Sequence, residues 1–271
     1  RVYEGVFGEG VKVAVVAVET RNGAVKWETW DEPGYKVLVT GKVRASDDEA
    51  ARERVDRFVR WHASDDGFHL SASDRSDISA SVTVLLPKAL RYKLKSETRN
   101  GAIRANGVRV TSGRLQTVNG GIRVEDVEAE RLETVTVNGG VRLHGAVDDL
   151  RGETTNGSVD ARLVGRRRDG GVVKHAHWEL GATNGSIRVY VPHGPDIGYD
   201  VNLKTVTGRI KVDMPGFATT AGRGWGRDVS WQSEGMEDKP RRIGLTVGTV
   251  HGSIVVAAEN EQDAADGADE E

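Results

Sequence analysis

TVNGGIRV at 117–124 and TVNGGVRL at 136–143 are one eight-residue phrase written twice, and the phrase recurs along the chain. TRNGAVKW (20–27), TRNGAIRA (98–105), TTNGSVDA (154–161), ATNGSIRV (182–189), TVTGRIKV (205–212) and TVHGSIVV (249–256) complete a set of eight. The fourth position is always glycine: Gly23, Gly101, Gly120, Gly139, Gly157, Gly185, Gly208 and Gly252. The third is Asn22, Asn100, Asn119, Asn138, Asn156 or Asn184, with Thr207 and His251 in the other two units. The sixth is always Val or Ile, and the first is Thr except at Ala182.

Asn-Gly tolerates a positive φ, which suits a sharp corner between strands. After the corner apolar and polar residues alternate, as in Ile122-Arg123-Val124 and Ile187-Arg188-Val189. Period two places the branched residues on one face and Arg or Lys on the other, so the branched face points inward. The leading threonine reads as a good strand residue.

An Asn-Gly between strands also fits a two-residue hairpin, and that reading is preferred for Asn22-Gly23, between Val11–Thr20 and Ala24–Thr29. The middle units read differently. Gly101, Gly120, Gly139 and Gly157 are separated by 19, 19 and 18 residues, a short regular period that predicts one coil per repeat. The expected fold is an all-β parallel β-solenoid, a β-helix of about seven coils, right-handed by the usual chirality of parallel crossovers. Longer gaps of 28, 23 and 44 residues after Gly157 predict loops at 165–177, 192–199 and 216–242.

The expected organisation is a β-rich capping segment over 1–95, repeats over 96–258 and an acidic disordered tail over 259–271. Val11–Val18, Lys36–Val43, Phe68–Ala72 and Ser79–Leu86 read as strands. Between them SDDEAARERVDRFVRW (46–61) reads as an α-helix over 47–61, with Ser46 and Glu49 as a capping box and Ala51, Val55, Phe58 and Val59 on one face.

Bulk composition narrows the function classes. The 271 residues carry net charge −3, with no basic stripe interleaved with aromatics, so nucleic acid is not expected. The tail ENEQDAADGADEE holds seven of the acids and no base. The absence of cysteine excludes thiol catalysis and cysteine-held metals. No run of about 18 apolar residues predicts a transmembrane segment. The chain starts at Arg1, which leaves room for a removed leader or anchor.

The Asn-Gly-Ser/Gly-Ile-x-Val units, with the junction SVTVLLPKALRYKLKSETRNGAIRA (81–105), resemble the bacterial and archaeal putative-adhesin family of unknown function. The likeness runs from about residue 11 to 257. It implies a β-solenoid in exported or envelope-associated proteins and brings no catalytic residue with it.

Chemistry-bearing residues are sparse. His175 and His177 would share one side of a strand, but no third metal ligand is evident, and no metal or cofactor is expected. Arg166-Arg167-Arg168 reads as a solvated loop or an anion contact. Asp148, Asp149 and Asp160 are the carboxylates open to a polysaccharide lyase or hydrolase, the first alternative function. Self-assembly through an open coil at 253–258 is the second. Trp225 and Trp231 would stack on sugar or pin their own loop. The more suggestive set is an outward row at one repeat position: Arg104, Arg123, Arg142, Arg188 and Lys211. Stacked, these like charges repel unless paired, with Glu125, Glu128, Glu130, Glu133 and Glu153 as candidate partners. The reading is a non-enzymatic scaffold or binding module at the envelope. Its expected partner is an anionic polymer or an envelope protein, and the acidic tail would shield the basic row.

Overall fold

The repeat phrase forms a bend between two strand arms, and the bends stand side by side. The computed structural model describes residues 1–43, 47–72, 78–164, 167–168, 171–172 and 175–260. In chain order these form β1 (Val2–Val6), β2 (Val13–Asn22), β3 (Val25–Trp30), β4 (Gly34–Val43), α1 (Asp48–Phe58), β5 (Val59–Ser64), β6 (Gly67–Ala72) and β7 (Ile78–Pro87). Then follow β8 (Arg91–Asn100), β9 (Ile103–Asn106), β10 (Arg109–Asn119), β11 (Ile122–Asn138), β12 (Val141–Asn156) and β13 (Val159–Val164). The last are β14 (Arg167–Arg168), β15 (Gly171–Val172), β16 (His175–Asn184), β17 (Ile187–His193), β18 (Ile197–Met214), β19 (Phe217–Gln232), β20 (Arg241–His251) and β21 (Ile254–Asn260).

The arm before each corner pairs in parallel in the order β6, β2, β8, β10, β11, β12, β16, β20, β18. The arm after it pairs in parallel as β7, β3, β9, β11, β12, β13, β17, β21, β18. Register is kept throughout: Asn22, Asn100, Asn119, Asn138, Asn156, Asn184, His251 and Thr207 stand opposite one another in turn.

This pairing corrects the expected β-solenoid. Because β12 and β18 each serve both arms, the hydrogen bonding closes on itself. β12, β13, β17, β21, β18, β20 and β16 return to β12 as a closed parallel barrel of seven strands. The rungs also leave chain order. The Gly252 unit lies between the Gly185 and Gly208 units, since β18 goes to the outer position and turns back as the antiparallel β19. The 44-residue gap holds that return strand. Asn22-Gly23 is a corner, not a hairpin: β2 pairs with β6 and β8, whereas β3 pairs with β7 and β9.

The helix expectation is corrected too. α1 stops at Phe58, and Val59–Ser64 runs on as β5. Its cap is Asp47, whose Oδ1 accepts from the Ala50 N–H at 2.8 Å; Ser46 lies outside the described residues. The helix touches β4 and β5, and the end of the stack is closed by strands. β4 pairs antiparallel with β1 and β7, and β5 with β6. Among the described residues the parallel ladders end on antiparallel strands, β4 and β5 at one end and β19 at the other. The strand near Ser253–Ala258 is likewise covered, because β21 lies between β17 and β18. β21 carries order into the expected tail as far as Asn260, and 261–271 lie outside the described residues.

Inside, each repeat position forms a column. Ile103, Ile122 and Val141 are register partners, and Val159, Ile187, Ile254 and Ile210 continue the line, all buried. The corner itself obeys a rule different from the one the sequence suggested. Of the eight corner glycines, Gly23, Gly139 and Gly208 fall at φ 147°, 159° and 159°, at the edge of the left-handed region, and Gly101, Gly120, Gly157, Gly185 and Gly252 lie outside it. What excludes a side chain is close approach: a Cβ on Gly120 would collide with the carbonyl oxygen of Gly101, and one on Gly139 with that of Gly120. The same carbonyls accept from the leading threonines, Thr117 Oγ1 to Gly101 O at 2.9 Å and Thr136 Oγ1 to Gly120 O at 2.8 Å. Thr98, Thr154, Thr249 and Thr205 repeat the bond. These threonines are buried and satisfy a backbone acceptor that the bend turns away from the ladder.

Candidate anion-binding groove

The outward residue after each inward Ile or Val forms a second column. In rung order it reads Lys26, Arg104, Arg123, Arg142, Asp160, Arg188, Val255, Lys211. The rung order therefore splits the basic row that the sequence suggested. Arg104, Arg123 and Arg142 are consecutive, about 4.8 Å apart by strand spacing. Arg188 is set apart by Asp160, with which it pairs at 3.6 Å, and Lys211 pairs with Asp213 at 3.7 Å. Lys26 joins the row, from the unit that had read as a hairpin, and pairs with Glu28 at 2.7 Å.

The three consecutive arginines flank a shallow groove of about 370 Å³. Its floor is Ala102, Gly121, Gly140 and Ser158, the small residues that follow each corner glycine, and Asp160 closes one end. Gly121 and Gly140 keep the floor low. A Cβ on either would stand 3.2 Å from the carbonyl oxygen of the next rung.

The acids proposed as partners for this row go elsewhere. Glu128 pairs with Arg109 at 3.6 Å, Glu133 with Arg114 at 3.4 Å, Glu130 with Arg91 at 3.2 Å and Glu153 with Arg151 at 2.7 Å. All four lie on the arm before the corner, as do Arg131–Asp149 at 2.9 Å and Lys95–Glu19 at 2.6 Å. The hydrogen bond that Lys95 Nζ donates to Glu19 holds the ammonium above its ordinary pKa. Glu125 alone of the five reaches the row, at Arg123. Among the described residues, Arg104 and Arg142 make no ion pair.

The other candidates are placed as follows. His175 and His177 lie exposed on β16, and His175 Nε2 is 3.4 Å from Arg242 Nη2. Among the described residues no three His, Asp or Glu side chains converge as metal ligands would. Asp149 is committed to Arg131 and Asp160 to Arg188, and Asp160 is the single acid lining the groove among the described residues. Trp231, half-buried on β19, stacks on Phe217 at 4.9 Å and on Tyr199 at 6.3 Å, which pins the hairpin to the end of the core. Trp225 faces Thr207 in the ladder, and its side chain lies outside the described residues, as do Arg166 and the side chains of Arg167 and Arg168.

The sequence reading missed a feature that borders this groove. The exposed asparagines join across rungs. Asn100 Nδ2 donates to Asn22 Oδ1 and Asn119 Nδ2 to Asn100 Oδ1, each at 2.7 Å. Asn138, Asn156 and Asn184 continue at 2.8, 2.9 and 2.9 Å. Identical residues at one repeat position, on strands in register, were the available signal.

No protein-family model matches the chain, and no curated protein is similar to it. Among solved structures it is similar to a putative cell adhesion protein from Clostridium sporogenes, at 12% identity and TM-score 0.40, covering 96% of this chain and 99% of that one. It is also similar to a putative adhesin from Bacteroides fragilis, at 10% identity and TM-score 0.45, covering 94% and 96%. A third similar chain is named a putative lipid binding protein, from Parabacteroides distasonis, at 9% identity and TM-score 0.37, covering 96% and 95%. The first two names agree with the family that the Asn-Gly units resemble.

Proposed function

We propose that this chain is a non-enzymatic binding module of the cell envelope that holds a linear anionic polymer, such as an acidic polysaccharide, along the groove beside Arg104, Arg123 and Arg142. The observation that carries the reading is the unequal use of acids. On the arm before the corner Arg91, Arg109, Arg114, Arg131 and Arg151 each meet an acid, while Arg104 and Arg142 stand over a glycine floor without an acidic partner among the described residues. One cation per rung repeats along the stack, so an extended polymer meets the row in register where a compact anion meets one guanidinium. Arginine offers planar, two-pronged donors to carboxylate or phosphate. A hydrolase needs a second carboxylate near the first, and among the described residues the groove lining supplies Asp160 alone.

The test is titration of a heparin-like and a teichoic-type polymer at low salt, with wild type against the double variant Arg104→Glu/Arg142→Glu. Each cation near an anionic surface contributes about 1 kcal/mol, so removing two weakens binding about thirtyfold. Equal binding by the double variant and wild type sinks the reading. The acids of 261–271, beyond β21, would compete for the same row, so deleting those residues tightens binding at low salt and has no effect at high salt.

A further inference from the structure

Three turns converge on a second pocket, which shares no lining residue with the arginine groove. They are 7–12 between β1 and β2, 31–33 between β3 and β4, and 88–90 between β7 and β8. The pocket measures about 410 Å³, and Phe7, Val11, Trp30, Pro33, Pro87 and Leu90 give it apolar walls. Concave apolar sites of this size with a few polar groups are where small ligands bind.

The walls are held by the fold. The Lys88 N–H donates to Trp30 O at 3.1 Å, and the Gly8 N–H to Asp65 O at 2.7 Å. The buried Tyr92 hydroxyl donates to Pro87 O at 2.7 Å. The Trp30 indole N–H donates to Gly34 O, also at 2.7 Å. With its nitrogen committed and no aromatic ring stacked on it among the described residues, the indole offers a ligand its carbon and its π-face.

The polar groups select the ligand. Asp31 Oδ2 pairs with Lys88 Nζ at 3.1 Å. Exposed Glu32 has no hydrogen bond or ion pair among the described residues. The lining thus carries two acids and one base, and an anion would meet net negative charge. A sugar needs several donors and acceptors, whereas Glu32 is the one lining side chain whose polar group is not already engaged. A cation with an apolar body satisfies both features. Its hydrocarbon lies against the prolines, and its charge is attracted by the indole face and the free carboxylate. We propose that this pocket binds a small organic ammonium ion of the choline type through Trp30 and Glu32.

The experiment is titration of choline into the full chain, following the Trp30 indole N–H by NMR. The signal is assigned by its absence in Trp30→Leu. The uncharged isostere 3,3-dimethyl-1-butanol has the same shape without the charge. Choline binds at least about fivefold more tightly than the isostere, and the difference narrows in Trp30→Leu. Glu32→Gln alters an exposed side chain with no partner to lose, so the fold is kept. It weakens choline about threefold at low salt, and the loss closes at high salt. Phosphatidylcholine vesicles added as competitor separate the sources: displacement of choline identifies a lipid headgroup, and no displacement a soluble ion. Arg104→Glu/Arg142→Glu leaves choline binding unchanged, so this site and the groove fail separately. Equal affinity for choline and its isostere, an unchanged choline affinity in Glu32→Gln, or no saturable choline binding overturns the inference.

Discussion

The two arms of every rung are built on the same interior columns and carry opposite exteriors. Before the corner, Arg109, Arg114 and Arg131 meet Glu128, Glu133 and Asp149 on the neighbouring rung, so a ladder that stacks like residues is broken into opposite charges. After the corner the stacking of like residues is kept, and Arg104, Arg123 and Arg142 lie side by side. Repulsion between stacked cations is a cost that sequence drift could relieve with one glutamate, as Asp160 relieves it at Arg188. Lys26, Arg123, Arg188 and Lys211 of this row each meet an acid, and Arg104 and Arg142 are the two basic members without one among the described residues. On the proposed reading the difference sets the paired Arg109, Arg114 and Arg131 apart from Arg104 and Arg142, beside which the polymer would lie.

The corner joins the arms, and breaking it should erase both exteriors at once. Gly120→Ala puts a methyl group into the Gly101 carbonyl, where the nearest atoms are all backbone of Gly101 and Ala102. Overpacking of this kind costs at least about 2 kcal/mol, read as a lowered urea midpoint, and polymer binding falls with the fold. Gly181→Ala is the control. Its nearest neighbour is the Glu153 side chain at 3.6 Å, and its midpoint stays within about 0.5 kcal/mol of wild type. Equal midpoints for the two variants would show that close approach is not what the corner glycine serves.

Two changes sharpen the comparison by improving the shared interior while leaving both exteriors alone. Thr134 is fully buried, its hydroxyl faces Gly152, and Oγ1 has no hydrogen-bond partner. Thr134→Val keeps the shape and removes the orphan, so the midpoint rises by about 1 kcal/mol with unchanged polymer affinity. Ala182 is the one unit lacking the threonine that elsewhere donates to a glycine carbonyl. Ala182→Thr restores the donor toward the Gly157 carbonyl and raises stability by about 0.5–1 kcal/mol. A destabilised Ala182→Thr would mean that the rung is too tight there for a hydroxyl.

What could be read from one chain follows from the range of the interaction concerned. The columns of Ile103, Ile122 and Val141 were legible because neighbouring rungs are 19 residues apart and identical in pattern. The arginine row was legible as a repeat position, but not its division, because Lys26 stacks on Arg104 across 78 residues and Val255 comes between Arg188 and Lys211. Nothing local tells β18 to pass over a rung and return as β19; that choice belongs to the closing of an end. The sequence accounts for the glycines by conformational freedom alone. Conformational freedom is a property of one residue, whereas the crowding at Gly120 exists only once Gly101 is stacked against it. For the same reason the leading threonine looked like a strand former: its acceptor is sixteen residues away in sequence, at Gly101 for Thr117.

The smallest effect tests the other side of the comparison. Arg114 and Arg131 are more than half exposed, and their acidic partners are partly open to solvent. Pairs of this kind contribute at most about 1 kcal/mol each, and salt screens them. Arg114→Ala and Arg131→Ala should therefore lower stability by no more than about 0.5 kcal/mol at low salt, with the loss vanishing near 1 M salt. Each also uncovers an acid, Glu133 or Asp149, on the arm away from the groove. If the groove holds the polymer, affinity stays within about twofold of wild type, because screening confines the new charge to its own face. If either alanine variant loses binding as steeply as Arg104→Glu/Arg142→Glu, the ligand reads net charge over the whole surface, and the contrast between the arms carries no function.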